Sequence, residues 1–340
     1  MEFLILIISL VTILIAAELF VNAIEWFGKI LKLSEGAVGS ILAAIGTALP
    51  ETLIPIIALL TKNTSQSSEI GIGAILGAPL MLSTLTMFVT GCAIILCKKK
   101  RTHHNKALVN VKNISHDLKY FIFSFTLALI CGLIEDTYKT IKIFIAIILF
   151  ITYLLYIIEL IKENRDEKDD KIPELYLAFK NKKIMKKKYA IILVIIQALI
   201  ALTLIIFSAE SFVTSLSNIS TILHIPAFIL AIILTPIATE LPEKFNSVIW
   251  ISREKDTLAL GNITGAMMFQ ASILPAIGIL LTDWSLTSSG TLISAIIAIS
   301  SASLLLKELK TKKHLTTKML LTCGLFYLLF IILVLIGIIK

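Results

Sequence analysis

A five-residue pattern, Thr-x-Leu-Pro-Glu, occurs twice in the chain, as Thr47-Ala48-Leu49-Pro50-Glu51 and as Thr239-Glu240-Leu241-Pro242-Glu243. Each copy lies inside a long apolar run, where a carboxylate is costly unless it pairs or meets a cation. The proline before each glutamate removes a backbone donor and breaks the helical ladder. A broken helix at membrane depth is tolerated where it lines a cavity, and its freed carbonyls can coordinate an ion. Two such copies, one per half, point to a cation site between two repeats.

The elements that must position this site are apolar. Of the 340 residues, 57% are hydrophobic, and the mean hydropathy is +0.94. No soluble domain needs that much apolar surface, so the class is a polytopic, all-α membrane protein. At roughly 20 residues per span, ten helices are expected near 3–25, 36–60, 70–96, 119–134, 141–161, 190–210, 225–250, 257–281, 287–306 and 317–339. The first carries no basic n-region and reads as a retained helix rather than a cleaved signal peptide.

Loop charges agree with that count. Lys29 and Lys32, the run Lys98 to Lys119, the linker 162–189, Arg253 and Lys255, and the group Lys307 to Lys318 all fall in alternate loops. The opposite side has Lys62, Lys139, Lys142 and Lys340. Such a bias places both termini outside and the central loop in the cytoplasm. It also explains the net charge of +8 without a nucleic-acid partner, since the basic residues sit between spans. The linker 162–189 is the soluble segment, mixed in charge and then basic, and reads as a solvated strand of chain beside anionic lipid heads. Cys92, Cys97, Cys131 and Cys323 have no metal-ligand spacing and read as apolar filler.

A shift of 192 residues superposes the halves. Glu18 falls on Glu210, Phe20 on Phe212, Val21 on Val213, and Thr47, Leu49, Pro50 and Glu51 fall on Thr239, Leu241, Pro242 and Glu243. Composition alone would match Ile with Ile; it would not align two Glu, a Pro and a Thr at fixed spacing. The division is 1–161, a first five-helix repeat; 162–189, a cytoplasmic linker; and 190–340, a second repeat. Five helices precede the second copy, an odd number, so it is inverted. Inverted repeats with broken second and seventh helices are a transporter signature. A second repeated element follows each core, Gly73-Ala74-Ile75-Leu76-Gly77-Ala78 and Gly261-Asn262-Ile263-Thr264-Gly265-Ala266. Its small-xxx-small spacing lets helices approach closely. Asn262, Thr264 and Gln270 are polar additions present only in the second half.

With these motifs the sequence resembles the sodium/calcium exchanger family of the calcium/cation antiporter superfamily. Gly46 to Glu51, Ala238 to Glu243 and Gly261 to Gln270 carry the resemblance, which covers essentially the whole chain. It implies ten helices, a site formed by the second, third, seventh and eighth, and exchange of Na+ for Ca2+ at one shared site. Glu51 and Glu243 would be the paired carboxylates, Thr47 and Thr239 would offer oxygens, and Gln270 falls where the family places an Asn or Asp ligand. With Glu240 and Asn262, these are the candidate metal ligands. The family's Ser after Thr is Ala48 in one repeat and Glu240 in the other. Its Gly-Ser-Asn is Gly77-Ala78-Pro79 and Gly265-Ala266-Met267, and Leu82 stands where a further polar ligand is expected. The lost oxygens would serve mainly the sodium sites.

Calcium prefers six to eight hard oxygens, and two carboxylates would neutralise one divalent ion. When empty, the carboxylates repel, so a proton or Na+ can take the ion's place. That predicts an antiporter, either sodium-coupled or a proton-coupled exchanger of Ca2+ or another divalent ion. Glu240 and Lys244 have the favourable i, i+4 order for an intrahelical pair, or Lys244 acts as a tethered cation near a vacated sodium position. Glu18 and Glu210 read as vestibule or helix-end groups. His103, His104, His116, His224 and His314 read as surface residues. An intramembrane enzyme would need a nucleophile motif, a His-Glu-x-x-His run or a phosphate loop, and the sequence has none of these. No enzymatic activity and no cofactor are therefore expected. The expected partners are transported cations and a cell-membrane bilayer, with no obligate protein partner evident.

Overall fold

A computed structural model describes residues 1–30, 49–60, 65–162, 175–178 and 187–339. Its helices are α1 (Glu2–Ile30), α2 (Leu49–Leu60), α3 (Ser65–Met81), α4 (Met87–Leu96), α5 (Val111–Leu133), α6 (Lys139–Lys162), α7 (Lys187–Leu223), α8 (Ala227–Ser252), α9 (Asp256–Leu281), α10 (Ser289–Lys312) and α11 (Thr317–Leu335). A π-helical turn, Leu82–Thr86, joins α3 to α4 within one apolar span. Among the described residues, eight helical stretches are long and apolar enough to cross a membrane, and two shorter apolar stretches lie at Pro50–Leu60 and Ala227–Ile237.

The outer surface is apolar, the reverse of a water-soluble fold. On α6, Ile141, Phe144, Ile148, Ile151, Leu155 and Ile158 are all exposed and follow a helical period. Ala146, Leu149 and Tyr156 occupy the opposite, buried face. The same outward greasiness runs along α1 (Phe3, Leu4, Ile7, Ile8, Val11, Ile15) and α7 (Ile192, Ile196, Leu199, Phe207). Only hydrocarbon makes such a surface inexpensive.

Inside, α2, α3, α8 and α9 touch one another, and α5 and α6 pack on α9. The long helices α1 and α7 pair along their length, with α2 against α7. Polar groups stitch that pair: Gln197 Nε2 donates to Leu19 O (2.8 Å) and Asn22 Oδ1 (3.0 Å). The short turn Tyr176–Ala178 docks there, with Tyr176 N donating to Asn22 Oδ1 (3.2 Å) and Tyr176 OH to Glu18 (3.0 Å). Glu18 and Glu210 are both exposed, and each lies well inside its helix, α1 or α7, rather than at a helix end.

The glycine-spaced motif of the first half does what its spacing suggests. A Cβ on Gly73 would lie 2.8 Å from Phe228 O, and one on Gly77 would lie 2.4 Å from Ile232 O and 2.8 Å from Pro236 Cγ. The obstacle is backbone, so neither helix can yield by turning a side chain. Gly77→Ala is expected to cost about 1–3 kcal/mol by forcing α3 off α8, read as a lower unfolding midpoint of the purified protein in detergent.

The basic-loop face is closed by a buried ion pair. Arg101 donates from Nη1 to Asp256 Oδ1 (2.8 Å) and from Nη2 to Oδ2 (2.7 Å), with side chains 1% and 4% exposed. Arg101 also reaches Ile251 O and Lys106 O, and Leu108 N donates to Asp256 Oδ2 at 2.9 Å. A two-residue ladder beside it pairs β1 (Lys106–Ala107) antiparallel with β2 (Leu315–Thr316). Glu254, in the α8–α9 turn, accepts from Thr102 N–H and from Thr102 Oγ1. Those two donors hold its carboxyl below the usual carboxylate range. The contact is therefore intact at neutral pH and lost only as acid protonates Glu254.

Two expectations differ from the structure. The apolar run predicted to start at 119 is a helix from Val111, because Asn110 caps it: its side chain accepts from Lys112 N and Asn113 N. The second Thr-x-Leu-Pro-Glu copy is not a break. Hydrogen-bonded helix runs from Ala227 to Ser252 through Pro236 and Pro242. Each proline removes one donor, but the ladder resumes beyond it. Of the first copy, Thr47 and Ala48 lie outside the described residues, and Pro50 is the second residue of α2, where its missing N–H is no loss.

Candidate functional site

Three side chains from three different helices converge in the centre. Glu51, in the first turn of α2, is 7% exposed; Glu240, midway along α8, is 0% exposed; Gln270, midway along α9, is 0% exposed. Gln270 Nε2 donates to Glu51 Oε2 (3.1 Å) and to Glu240 Oε1. One amide group thus holds two carboxylates that lie 189 positions apart in sequence. Its own carbonyl oxygen, Gln270 Oε1, is buried and accepts no hydrogen bond. A buried acceptor without a donor is costly, and a cation relieves it.

The donor set is that of a hard divalent ion. Two carboxylates and one amide carbonyl are all oxygen ligands, and two negative charges match one doubly charged ion. A half-turn of the Gln270 amide would replace the N–H donors that bridge the two carboxylates with an oxygen, the group a cation needs. Ala78, Leu82 and Met267, which stand where the resemblance expects polar groups, are buried and apolar. Leu82 opens the π turn, whose Ser83 carbonyl is taken by Ser301 Oγ of α10 at 2.7 Å.

The other expected ligands are placed differently. Thr239 is buried beside Glu240, but its hydroxyl donates to Thr235 O of its own helix at 3.1 Å. Asn262 is exposed on α9, eight residues before Gln270 and so about 12 Å away along the axis. Thr47 lies outside the described residues, as do the side chains of Glu243 and Lys244.

Sequence reasoning missed a second polar group nearby. Asp117 of α5, 0% exposed, accepts from Thr264 Oγ1 of α9 (2.6 Å) and from Tyr156 OH of α6 (3.1 Å). His116, expected at the surface, is instead partly buried on the same helix, with Nε2 at 2.5 Å from Glu159 Oε2. The available signal was a carboxylate next to a histidine at the edge of the weakest apolar run.

This arrangement defines a polytopic helical membrane protein with an oxygen-rich carboxylate site where α2, α8 and α9 meet. The sodium/calcium exchanger protein family matches residues 1–162 and 193–338, and the chain belongs to that family. Among solved structures it is similar to the H+/Ca2+ exchanger CAX, at 18% identity and a TM-score of 0.73, covering 98% of this chain and 82% of that one. It is similar to native YfkE at 15% identity, TM-score 0.67, with 98% and 92% covered. It is also similar to the sodium-calcium exchanger NCX_Mj soaked with Na+ and Sr2+, at 20% identity, TM-score 0.58, with 97% and 99% covered. No curated protein sequence matches the chain. Its fold is that of the calcium/cation antiporters.

Proposed function

We propose that the protein is a secondary-active antiporter that exchanges Ca2+ for Na+ at the Glu51–Glu240–Gln270 site by alternating access, with Glu243 and Thr47 completing the shell. The observation that carries the reading is a pair of buried carboxylates joined by a single neutral amide, with that amide's oxygen left for an ion. Ionisable side chains buried inside membrane proteins are rare and mark ion pathways. The ten-span count, the inverted five-helix repeats and the cytoplasmic linker are part of the same proposal. Two similar halves supply the two arrangements that open one site to either side. The basic loops 98–110 and 253–255 then face the cytoplasm, with both termini outside.

A proton-coupled reading has its own support. The positions that would give sodium its oxygens are Ala78, Leu82 and Met267, buried and apolar. The empty carboxylates can discharge their repulsion by taking a proton. One of the similar structures is an H+/Ca2+ exchanger. The test is calcium-45 uptake into vesicles of purified protein under an outward Na+ gradient, an outward H+ gradient, or neither. Sodium-driven uptake supports the first reading, and uptake driven by H+ alone supports the second. Ohmic current without countertransport would defeat both.

A further inference from the structure

The chain Glu159–His116–Asp117–Thr264 runs from the half-exposed last turn of α6 to the helix that carries Gln270, and the proposed cation site does not use it. Its members come from α6, α5 and α9. Glu159 is half exposed, with its side chain at 51%. His116 is 23% exposed, and Asp117 is fully buried. All three helices meet here on the basic-loop face: Asp117 is about 9 Å along α5 from Val111, and Thr264 is about 12 Å along α9 from Asp256.

The protonation pattern follows from the geometry. The 2.5 Å approach of His116 Nε2 to Glu159 Oε2 requires a proton between them. In a neutral imidazole the other nitrogen, Nδ1, is then a bare lone pair. That nitrogen is buried without a hydrogen-bond partner among the described residues, with Asp117 Oδ1 4.0 Å away. A lone pair facing a buried carboxylate is the wrong match. A second proton makes Nδ1–H a donor aimed at Asp117 and sets one positive charge between two carboxylates. The Thr264 and Tyr156 hydroxyls can both donate to Asp117, which suits an ionised carboxylate. The aromatic rings of Tyr120 and Tyr156 enclose the imidazole at 4.6 and 5.7 Å.

Among the described residues, Lys112 and Lys119 lie about one turn from His116 on α5. On α10, which also packs on α5, Glu308 is taken by Lys312 and Thr316. From α9 the group that reaches the cluster is a hydroxyl, not a charge.

We propose that His116, seated between Glu159 and Asp117, is a proton-binding site on the basic-loop face whose occupancy sets the position of α9, and through it Gln270. The proton comes from bulk water on that face and adds to Nδ1; only the N–H bond forms. Without it Asp117 loses its neighbouring positive charge, and the hydroxyl bond to Thr264, six residues before Gln270 on one rigid helix, becomes the element that must adjust. Asp117 and Thr264 act here as positioning residues. They do not touch the cation.

The transport arm of this proposal rests on the antiport reading, so two readouts are needed. The unfolding midpoint of purified protein is measured from pH 5 to 8.5, and calcium-45 uptake is measured while the pH on the basic-loop face is varied. In the wild type both are expected to step between pH 6 and 8, the midpoint by about 2–4 °C, with the protonated form the more stable. His116→Gln is expected to flatten both steps while keeping the maximal flux. Should that variant fail to fold, Glu159→Gln is expected to displace both midpoints. A flattened stability step in a protein that moves no calcium sustains the proton site and defeats the antiport reading. Transport and stability profiles identical to wild type in both variants overturn the proton site. A flattened stability step with an unchanged transport profile overturns its coupling to α9.

Discussion

Glu240→Ala is expected to abolish calcium exchange while leaving a folded protein. The substitution removes one of the two buried carboxylates that Gln270 bridges, so a divalent ion would meet half of its counter-charge in a site shielded from water. Stripping one partner from a buried, paired charge costs about 3–5 kcal/mol, which is a factor of roughly 10²–10⁴ in affinity. Glu240→Gln preserves the volume and should lose nearly as much, because charge and not shape is missing. The control is Asn262→Ala. Asn262 is exposed and well short of Gln270 on the same helix, so uptake should stay within about twofold of wild type, in line with the near-neutral effect of surface substitutions. Calcium-45 uptake in vesicles, set against the amount of inserted protein, measures all three.

The second large effect concerns stability. Asp256→Ala leaves the Arg101 guanidinium, 1% exposed, without the carboxylate that takes both of its terminal nitrogens, and leaves Leu108 N–H without its acceptor. An uncompensated buried charge is expected to destabilise by about 3–5 kcal/mol. Arg101→Lys should recover little, since an ammonium cannot reproduce the two-pronged contact. Replacing both partners with apolar residues of similar volume should recover most of the loss, because it removes the charges together. Unfolding midpoints of the three variants in detergent separate these cases. A single Asp256→Ala variant as stable as wild type would mean that the loops 97–110 and 251–256 are held by something else.

The legible part of this protein was the part that repeats. Apolar runs with basic loops between them showed the membrane class, and the duplicated Glu-containing motif pointed to Glu51. Gly73 and Gly77 announced the close contact with α8 through spacing alone. What the sequence hid depended on partners far along the chain. The i, i+4 spacing of Glu240 and Lys244 is visible in sequence, whereas the contact of Glu240 with Gln270 of another helix is not. Asn262 looked equivalent to Gln270 because both are polar residues in one motif, yet eight residues on a helix put them at different depths and Asn262 at the surface. Asp117 and His116 were assigned to a loop, since the cap at Asn110 that draws them into α5 outweighs the weak hydropathy of that stretch. Pro242 suggested a break, and the helix passes through it. The spacing of Glu51 and Glu243 remains the basis for including Glu243 in the proposed shell.

The most direct test is where a divalent ion sits. Crystals soaked in Sr2+ or Mn2+, with data collected for anomalous scattering, locate it without reference to transport. The account predicts one strong peak with oxygens of both Glu51 and Glu240 at about 2.0–2.6 Å, and the Gln270 amide turned so that Oε1 faces it. A peak bound elsewhere, or saturating ion with the Gln270 nitrogen still bridging the two carboxylates, would contradict it.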